Sequence, residues 1–274
     1  MLSVNTNMGA LIALQNLNST QAALNTTQAA INTGMKVATA KDDGATYAIA
    51  QSMRASVAGY AAVTDSLNRG ISSTDVAMSA GQAVSDLLVQ MKTKALAAAD
   101  SSLDTASRQA MNQDFVALRD QITTIVKNAV FNGFNLVDGT TATIQALASA
   151  DGTRKVTVAA QKMTLSGSIV TVKTTSTIST LAKASTMVST IGASLSNVNS
   201  ALAKLSSGAK KFSIQITFAQ KLADTLTAGI GNLVDADLAK ESAKLQSLQV
   251  KQQLGIQALS IANQAPSITL SLFR

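Results

Sequence analysis

Along this chain, apolar residues recur at helical intervals in five stretches and at alternate positions in one short stretch. In residues 5–32, Leu11, Leu14, Leu17, Leu24 and Ile31 lie mostly three or seven apart, with Asn, Gln, Ser and Thr between them. That spacing predicts a helix with a narrow apolar stripe and an uncharged polar remainder. Gly34 follows as its C-cap, where a left-handed backbone is needed and glycine adopts it most easily. From about Ala45 a second pattern runs through Ile49, Met53, Tyr60, Val63, Leu67, Ile71, Met78, Val84, Leu88 and Met91, close to alternating three and four. Helix of that extent, roughly 75 Å at about 1.5 Å per residue, does not fit a compact globule. Gly59, Gly70 and Gly81 sit inside it at eleven-residue spacing. Each is disfavoured there by about 1 kcal/mol relative to Ala, which suggests close approach of another helix rather than a break.

A turn at "ADSSLDTAS", Ala99 to Ser107, leads to a third helix through Met111, Phe115, Leu118, Ile122, Val126 and Ala129, expected to fold back antiparallel on the second. "FNGFNLVDGT", Phe131 to Thr140, supplies the turn pairs Asn-Gly and Asp-Gly. Between Thr141 and Thr177 the period shortens to two in "KVTVAA" and "SIVTVKT", predicting small β-hairpins in a Ser/Thr-rich region. From Leu181 the spacing again alternates three and four: Ala184, Val188, Ile191, Leu195, Val198, Leu202, Leu205, Ala209, Phe212, Ile216, Ala219, Ala223, Leu226. The pattern crosses "SSGAKK" in phase, which places Gly208 inside a continuous helix. "AGIGNLVDAD", Ala228 to Asp237, is expected to interrupt it, with Asp235 as N-cap of a last helix carrying Leu238, Leu245, Leu248, Leu259 and Ile261.

Composition sharpens this into a mainly α chain. Hydrophobic residues make up 46% of 274 positions but aromatics only 3%, with no Trp and one Pro. Ala, Leu, Val and Ile in that proportion suit an elongated bundle of long, coiled-coil-like helices with a small β-hairpin region better than a sandwich. The absence of Cys and His removes thiol nucleophiles, disulfides and the commonest general base and metal ligand, so an enzyme is not expected. Net charge is +7, yet the basic residues are scattered and few aromatics stand near them. A solvated surface is expected rather than a nucleic-acid footprint. Polar residues interrupt every candidate for a membrane span of about 18 apolar residues, and no Sec-type signal peptide is expected at the N-terminus.

Charge is distributed unevenly. Residues 1–34 contain no Asp, Glu, Lys or Arg, and none occurs between Lys251 and Arg274. The first charges, Lys36, Lys41, Asp42 and Asp43, arrive together after Gly34 in "GMKVATAKDDGA". Asp42 and Asp43 could contribute to a magnesium site, but a capped helix start or an inter-subunit salt bridge is the favoured reading, because no His, Cys or convergent acid accompanies them. A soluble helix normally carries charges on its wet face. Five large apolar side chains per end, at about 1.5–3 kcal/mol each when buried, do not offset ordering of the backbone at about 1–2 kcal/mol per residue. Neither end is expected to fold alone. In the free chain they read as unstructured tails that order on assembly, and a self-contact that repeats without closing builds a helical filament.

These terminal segments carry a resemblance. "SVNTNMGALIALQNLNSTQAALN" (Ser3 to Asn25), "INTGMKVATAKDDGATYAIAQSM" (Ile31 to Met53) and "FNG" at Phe131 to Gly133 resemble the N-terminal part of bacterial flagellin, the filament subunit of the flagellum. "DADLAKES" (Asp235 to Ser242) and "QALSIANQAPSITLSLFR" (Gln257 to Arg274) resemble its C-terminal part. The resemblance implies discontinuous domains: residues 1–44 and 235–274 as the inner-tube domain D0 with its connector, and 45–234 as D1, with a small β region at about 134–177 and little or no outer domain. It implies that Leu11, Leu14, Leu17, Leu24, Ile31, Leu238, Leu245, Leu248, Leu259 and Ile261 pack the inner core of a filament. Gly34, Lys36, Lys41, Asp42 and Asp43 would then form the D0–D1 connector.

The implied partners are further copies of itself and other flagellins, a flagellar export chaperone with the type III export apparatus, and hook-associated and cap proteins. No nucleic acid, membrane or cofactor is implied, and the product is extracellular. Thr171, Thr174, Thr175, Ser176 and Thr177 are candidate O-glycosylation positions by analogy with glycosylated relatives. An innate-receptor patch of the Arg-x-Arg-Glu-Leu kind is not matched by "LVQMKTKALAA", Leu88 to Ala98, so weak recognition is expected. A flagellin-like hook–filament junction protein and a secreted membrane-active effector are the alternatives. The latter is disfavoured because the uncharged helices lack a basic face and aromatic anchors.

Overall fold

The computed structural model describes residues 6–271. They form α1 (Met8–Thr33), α2 (Gly44–Ala98), α3 (Thr105–Asn128), the strands β1 (Thr143–Leu147) and β2 (Lys155–Ala159), α4 (Leu181–Val234) and α5 (Leu238–Ser271). The fold is mainly α with a small two-stranded hairpin, as the composition and periodicity predict. Residues 3–5 and 272–274 of the quoted terminal segments lie outside the described residues. The chain divides into two compact units, Met1–Ala55 with Thr225–Arg274, and Ser56–Asp224.

In the second unit, three helices and the hairpin share one core. Buried positions on α2 include a run of Val63, Leu67, Gly70, Thr74, Ala77, Gly81, Val84, Leu88, Met91, Ala95 and Ala98, alternating four and three, with Ser73 and Ala80 buried beside it. On α4 they run Ala184, Met187, Ile191, Ser194, Val198, Ala201, Leu205, Gly208 and Phe212, alternating three and four. Both are heptad seams, with small residues where neighbours come close. A methyl group at Gly81 would lie 2.7 Å from Leu202 Cδ2 on α4, which is the helix approach its spacing suggested. Gly59 differs: its missing methyl makes room for Ala150 in the hairpin turn, whose Cβ would be 2.8 Å away. Gly208 lies within an unbroken α4 and admits Val158 of β2, whose Cγ1 would stand 2.5 Å from an added Cβ.

Helix α3 returns antiparallel to α2. Lys94 and Asp114 form an ion pair at 2.6 Å, while nearer the turn Arg108 donates from Nε to Ala98 O and from Nη2 to Asp100 O, both at 2.9 Å. These bonds satisfy carbonyls that the end of α2 leaves open. Asp104 caps α3, its Oδ1 accepting from Ser107 N at 2.9 Å. This backbone bond and the Ser107 hydroxyl hold its carboxyl below the usual range.

The hairpin pairs Thr143 with Ala159 through Leu147 with Lys155. Leu147 N donates to Ser66 Oγ on α2 at 3.1 Å and Gln215 on α4 donates to Ala148 O at 3.0 Å, so both long helices grip it. At its turn, the Ser149 and Thr153 hydroxyls lower the Asp151 carboxyl to about 2.

Two sequence expectations are corrected here. "SIVTVKT" forms no second hairpin. It lies as an irregular segment with Val170 and Val172 buried, and Thr171 N donates to Ser194 Oγ on α4 at 3.0 Å. The alternation therefore reports burial against a helix: the segment folds back on itself, Ser166 N donating to Val172 O at 2.8 Å and Gly167 N to Val170 O at 3.0 Å, and side-chain bonds tie it to α4. The second correction concerns "AGIGNLVDAD". Helix α4 continues through Gly229 and Gly231 to Val234, and the cap of α5 is Asp237, not Asp235: Asp237 Oδ1 accepts from Ala239 N at 3.0 Å and Lys240 N at 3.1 Å. Asp235 instead bridges antiparallel to Met35.

Candidate assembly interface

Helices α1 and α5 pack against each other in the first unit. Among the positions turned from solvent, a seam runs through Ala10, Ala13, Leu17, Thr20, Leu24, Thr27 and Ile31 on α1, with Ala30 buried beside it, and through Glu241, Leu245, Leu248, Gln252, Gly255, Leu259 and Ala262 on α5. Each set alternates three and four, the spacing of a two-helix coiled-coil seam. Only about half of these side chains are large and apolar. Asn7 caps α1 by accepting from Ala10 N at 3.0 Å and, through Nδ2, donates to Ala262 O at 2.7 Å. Gln252 donates to Gln21 at 2.6 Å. Such polar contacts fix register at some expense of stability. The Thr27 hydroxyl is buried without a hydrogen-bond partner among the described residues. The seam is specific and thin.

Of the ten predicted inner-core residues, Leu17, Leu24, Ile31, Leu245, Leu248 and Leu259 fall on this seam, while Leu11, Leu14, Leu238 and Ile261 are exposed. The sequence reading missed the companions of the exposed set: Met8 and Ile12 on α1, and Val250, Leu254 and Ile256 on α5. Their signal was available. Met8, Leu11 and Ile12 are spaced three and four apart from the first, and Val250, Leu254 and Ile261 four and eleven apart from the first, apolar positions on the face turned away from the seam. Leu254 is 57% and Ile261 70% exposed. Helix α1 carries no charge, and the charges of α5 end at Lys251. A helix pair without charge on α1 or on α5 beyond Lys251, with large apolar residues facing water, is a surface suited to contact with another chain.

The segment between α1 and α2 bonds to the end of α4 and the short link to α5. Gly34 has φ 71°, the left-handed C-cap of α1. Met35 and Asp235 form an antiparallel bridge, with Lys36 N donating to Val234 O at 2.8 Å and Ala236 N to Gly34 O at 2.9 Å. Lys36 Nζ donates to Asn232 O at 3.1 Å. Val37, Ala50 and Val234 make a small buried cluster beneath. Asp42 Oδ2 accepts from Thr39 N at 2.8 Å and Ala38 N at 3.1 Å, folding the turn. Asp43 caps α2, Oδ1 accepting from Ala45 N and Thr46 N at 3.0 and 3.1 Å and Oδ2 from the Thr46 hydroxyl at 2.6 Å. Thr39 N chiefly lowers the Asp42 carboxyl, and the Thr46 hydroxyl chiefly lowers that of Asp43. What these carboxylates add to stability is therefore present above their ordinary value of 3.8 and lost as pH falls through the lower folded value. Lys41 is exposed. Among the described residues no three His, Cys, Asp or Glu side chains are grouped to hold a metal.

Among the Ser/Thr candidates, the Thr171 hydroxyl is half-buried, 2.9 Å from Ser194 Oγ and donating to Thr190 O at 3.3 Å, so it holds the segment on α4 rather than facing solvent. Ser176 Oγ accepts from Lys173 N at 3.0 Å, and Thr177 is half-buried. Thr174 and Thr175 are exposed. No described helix is long and apolar enough to cross a membrane.

The comparisons with known proteins agree with this arrangement. Residues 4–142 match the bacterial flagellin N-terminal helical region and residues 188–273 the bacterial flagellin C-terminal helical region. Flagellin FljM of Caulobacter vibrioides is 55% identical over 272 residues, covering 99% of this chain and 98% of that one. Flagellin FljJ of the same organism is 45% identical over 100% of this chain and 99% of that one, and the flagellin of Brucella melitensis is 36% identical over all of both chains. The crystal structure of Bacillus cereus flagellin superposes with a TM-score of 0.51 at 21% identity, over 56% of this chain and 88% of that one, a likeness of fold. Only a hairpin and irregular segments lie between α3 and α4, so there is little outer domain. With family matches at both ends and full-length relatives at this identity, the chain belongs to the bacterial flagellin family and is a structural subunit of the flagellar filament.

Proposed function

We propose that residues 1–44 and 235–274 form the inner D0 layer of that filament, with residues 45–234 as D1 around it. Leu11, Leu14, Leu238 and Ile261, joined by Met8, Ile12, Val250, Leu254 and Ile256, pack against other copies. Leu17, Leu24, Ile31, Leu245, Leu248 and Leu259 hold the intrachain pair. Gly34, Lys36, Lys41, Asp42 and Asp43 serve as the D0–D1 connector, where charges return as the chain leaves the packed layer. The single observation that carries this reading is the α1–α5 pair itself, whose thin seam leaves large apolar side chains exposed on helices with few or no charges.

The filament works as a mechanical element and carries out no chemistry. The chain reaches it through the flagellar type III export apparatus, held by an export chaperone, and joins hook-associated and cap proteins outside the cell. A cysteine-free pair of ends with few charges and a thin seam suits threading in unfolded form. Where the chain carries O-linked sugars, the exposed Thr174 and Thr175 are the acceptors.

Deleting residues 238–274 removes one half of the pair. The truncated protein is expected to stay soluble and helical, with the core of the second unit intact, and to give no filaments after heating and cooling under conditions that polymerise the full chain. Electron microscopy of both preparations decides the matter, and filaments from the truncated chain would contradict the role given to the ends.

A further inference from the structure

The second unit carries a groove of about 460 Å³ between α2, the Phe131–Phe134 turn and the hairpin. Two cations line it, Arg69 from α2 and Lys155 from β2, and no acidic residue among the described ones does. Neither cation is in an ion pair or a described side-chain hydrogen bond. Asp65 stands one helical turn before Arg69, the spacing at which a pair would form, yet the two are not bridged. The wall contains a second anomaly. Ser73 is 3% exposed and its hydroxyl has no hydrogen-bond partner among the described residues. A buried hydroxyl without a partner is an uncommon and unfavourable state, and rotation about one bond offers its proton to an acceptor.

The groove is also rigidly framed. Phe131 and Phe134 exchange backbone hydrogen bonds at 2.9 Å across a turn in which Asn132 and Gly133 are left-handed, at φ 48° and 82°. Ser66 holds the hairpin on the opposite side by accepting from Leu147 N. Phe134 is 51% exposed at the rim. Unpaired cations, an unsatisfied donor and an exposed ring together fit a carboxylate on a short carbon stem.

We propose that this groove receives the side-chain carboxylate of an aspartate or glutamate from a second copy of the chain, making it a charge-specific subunit contact. It rests on the chain being a filament subunit and is independent of the assignment of inner and outer layers. Charge complementarity selects this occupant. Asp65, Asp75 and Asp86 on α2 are exposed and take part in none of the described ion pairs, so each copy presents free carboxylates as well as the groove. A free small anion has the same chemistry, and the experiment separates the two.

Filaments are assembled from equal parts of unlabelled and nitrogen-15-labelled full-length chain, treated with a zero-length carbodiimide that condenses a lysine amine with a nearby carboxyl, and digested for mass spectrometry. The expected result is a mixed-isotope cross-link between Lys155 and an Asp or Glu, absent from monomer and from Lys155→Gln filaments. The double variant Arg69→Gln with Lys155→Gln is expected to raise the critical concentration for assembly roughly tenfold, about what losing one well-placed charge-assisted contact does. Its monomer should keep the wild-type helix content and melting temperature, since both side chains are exposed. Filaments with no mixed-isotope cross-link at Lys155, together with assembly of the double variant at the wild-type concentration, overturn the proposal. Arg69-dependent protection of the monomer by acetate or phosphate, without that cross-link, also overturns it and assigns the groove to a free anion. Formation of the wild-type filaments reports separately on the underlying identity.

Discussion

A chain carrying Leu254→Glu and Ile261→Glu is expected to fold as a monomer and to form no filament. Both side chains are exposed on α5, at 57% and 70%, so neither substitution opens a cavity or creates a clash within the chain. Glutamate is also a good helix former. In the assembled state these positions are expected to be buried against another copy. Each then forfeits about 1.5–3 kcal/mol of apolar burial, and a carboxylate without a partner is placed where it is poorly solvated. A factor of ten corresponds to about 1.4 kcal/mol, so the critical concentration should rise at least about 100-fold. Sedimentation of the variant over a concentration series, with circular dichroism of the monomer alongside, reads this directly. The same double substitution at Ala243 and Ser247, exposed positions on the same helix without a large apolar side chain, serves as the control for charge alone.

The second large effect concerns the core of the second unit. Phe212→Ala is expected to destabilise that unit by about 3–5 kcal/mol, the usual range for removing a fully buried aromatic side chain. Phe212 is entirely buried between α4 and α2, and Gly70 exists to receive its ring: a methyl there would lie 3.1 Å from Cε2. For a unit of this size the loss lowers the melting temperature by roughly 10 °C. Phe218→Ala, on the same helix but 54% exposed, should change monomer stability by no more than about 0.5 kcal/mol. The two rings also couple differently to Gly70. Gly70→Ala should be less harmful in the Phe212→Ala background than in the natural chain, because the added methyl then enters vacated space. Equal melting temperatures for Phe212→Ala and the natural protein would contradict the packing described.

Much of this fold was legible from spacing alone. Apolar spacing located all five helices, with three-and-four alternation on α2 and α4, Gly34 marked the end of α1, and the phase across Gly208 placed that glycine inside α4. What escaped the reading has a common cause. On α4, Ala184, Ile191, Val198, Leu205, Phe212 and Ala219 are buried as expected, but Val188, Leu195, Leu202 and Ile216 are only partly so. The alternate seam positions are Met187, Ser194, Ala201 and Gly208, which a search for branched apolar residues passes over. At Ser194 and Gly208 a small residue is needed because the Val170–Val172 segment and Val158 of β2 lie directly on the helix.

The terminal helices show the converse. Leu11 and Leu14 share the three-and-seven spacing of Leu17 and Leu24 although they face elsewhere, so spacing alone merges two stripes. The pairing of Met35 with Asp235 left no local signal, because it joins residues at opposite ends of the sequence through their backbones. Asp235 and Asp237 compete as caps for the same helix start, and only the backbone path between them decides which carboxylate meets the free N–H groups of α5.

The central claim, that the terminal helices are completed by neighbouring copies, is tested most directly by amide hydrogen exchange on isolated chain and on filaments of the same protein. Helices α1 and α5 are expected to exchange rapidly in the isolated chain and to slow by at least about 100-fold in the filament, with the α2–α4 core of the second unit protected in both. Equal and strong protection of α1 and α5 in the isolated chain would contradict it.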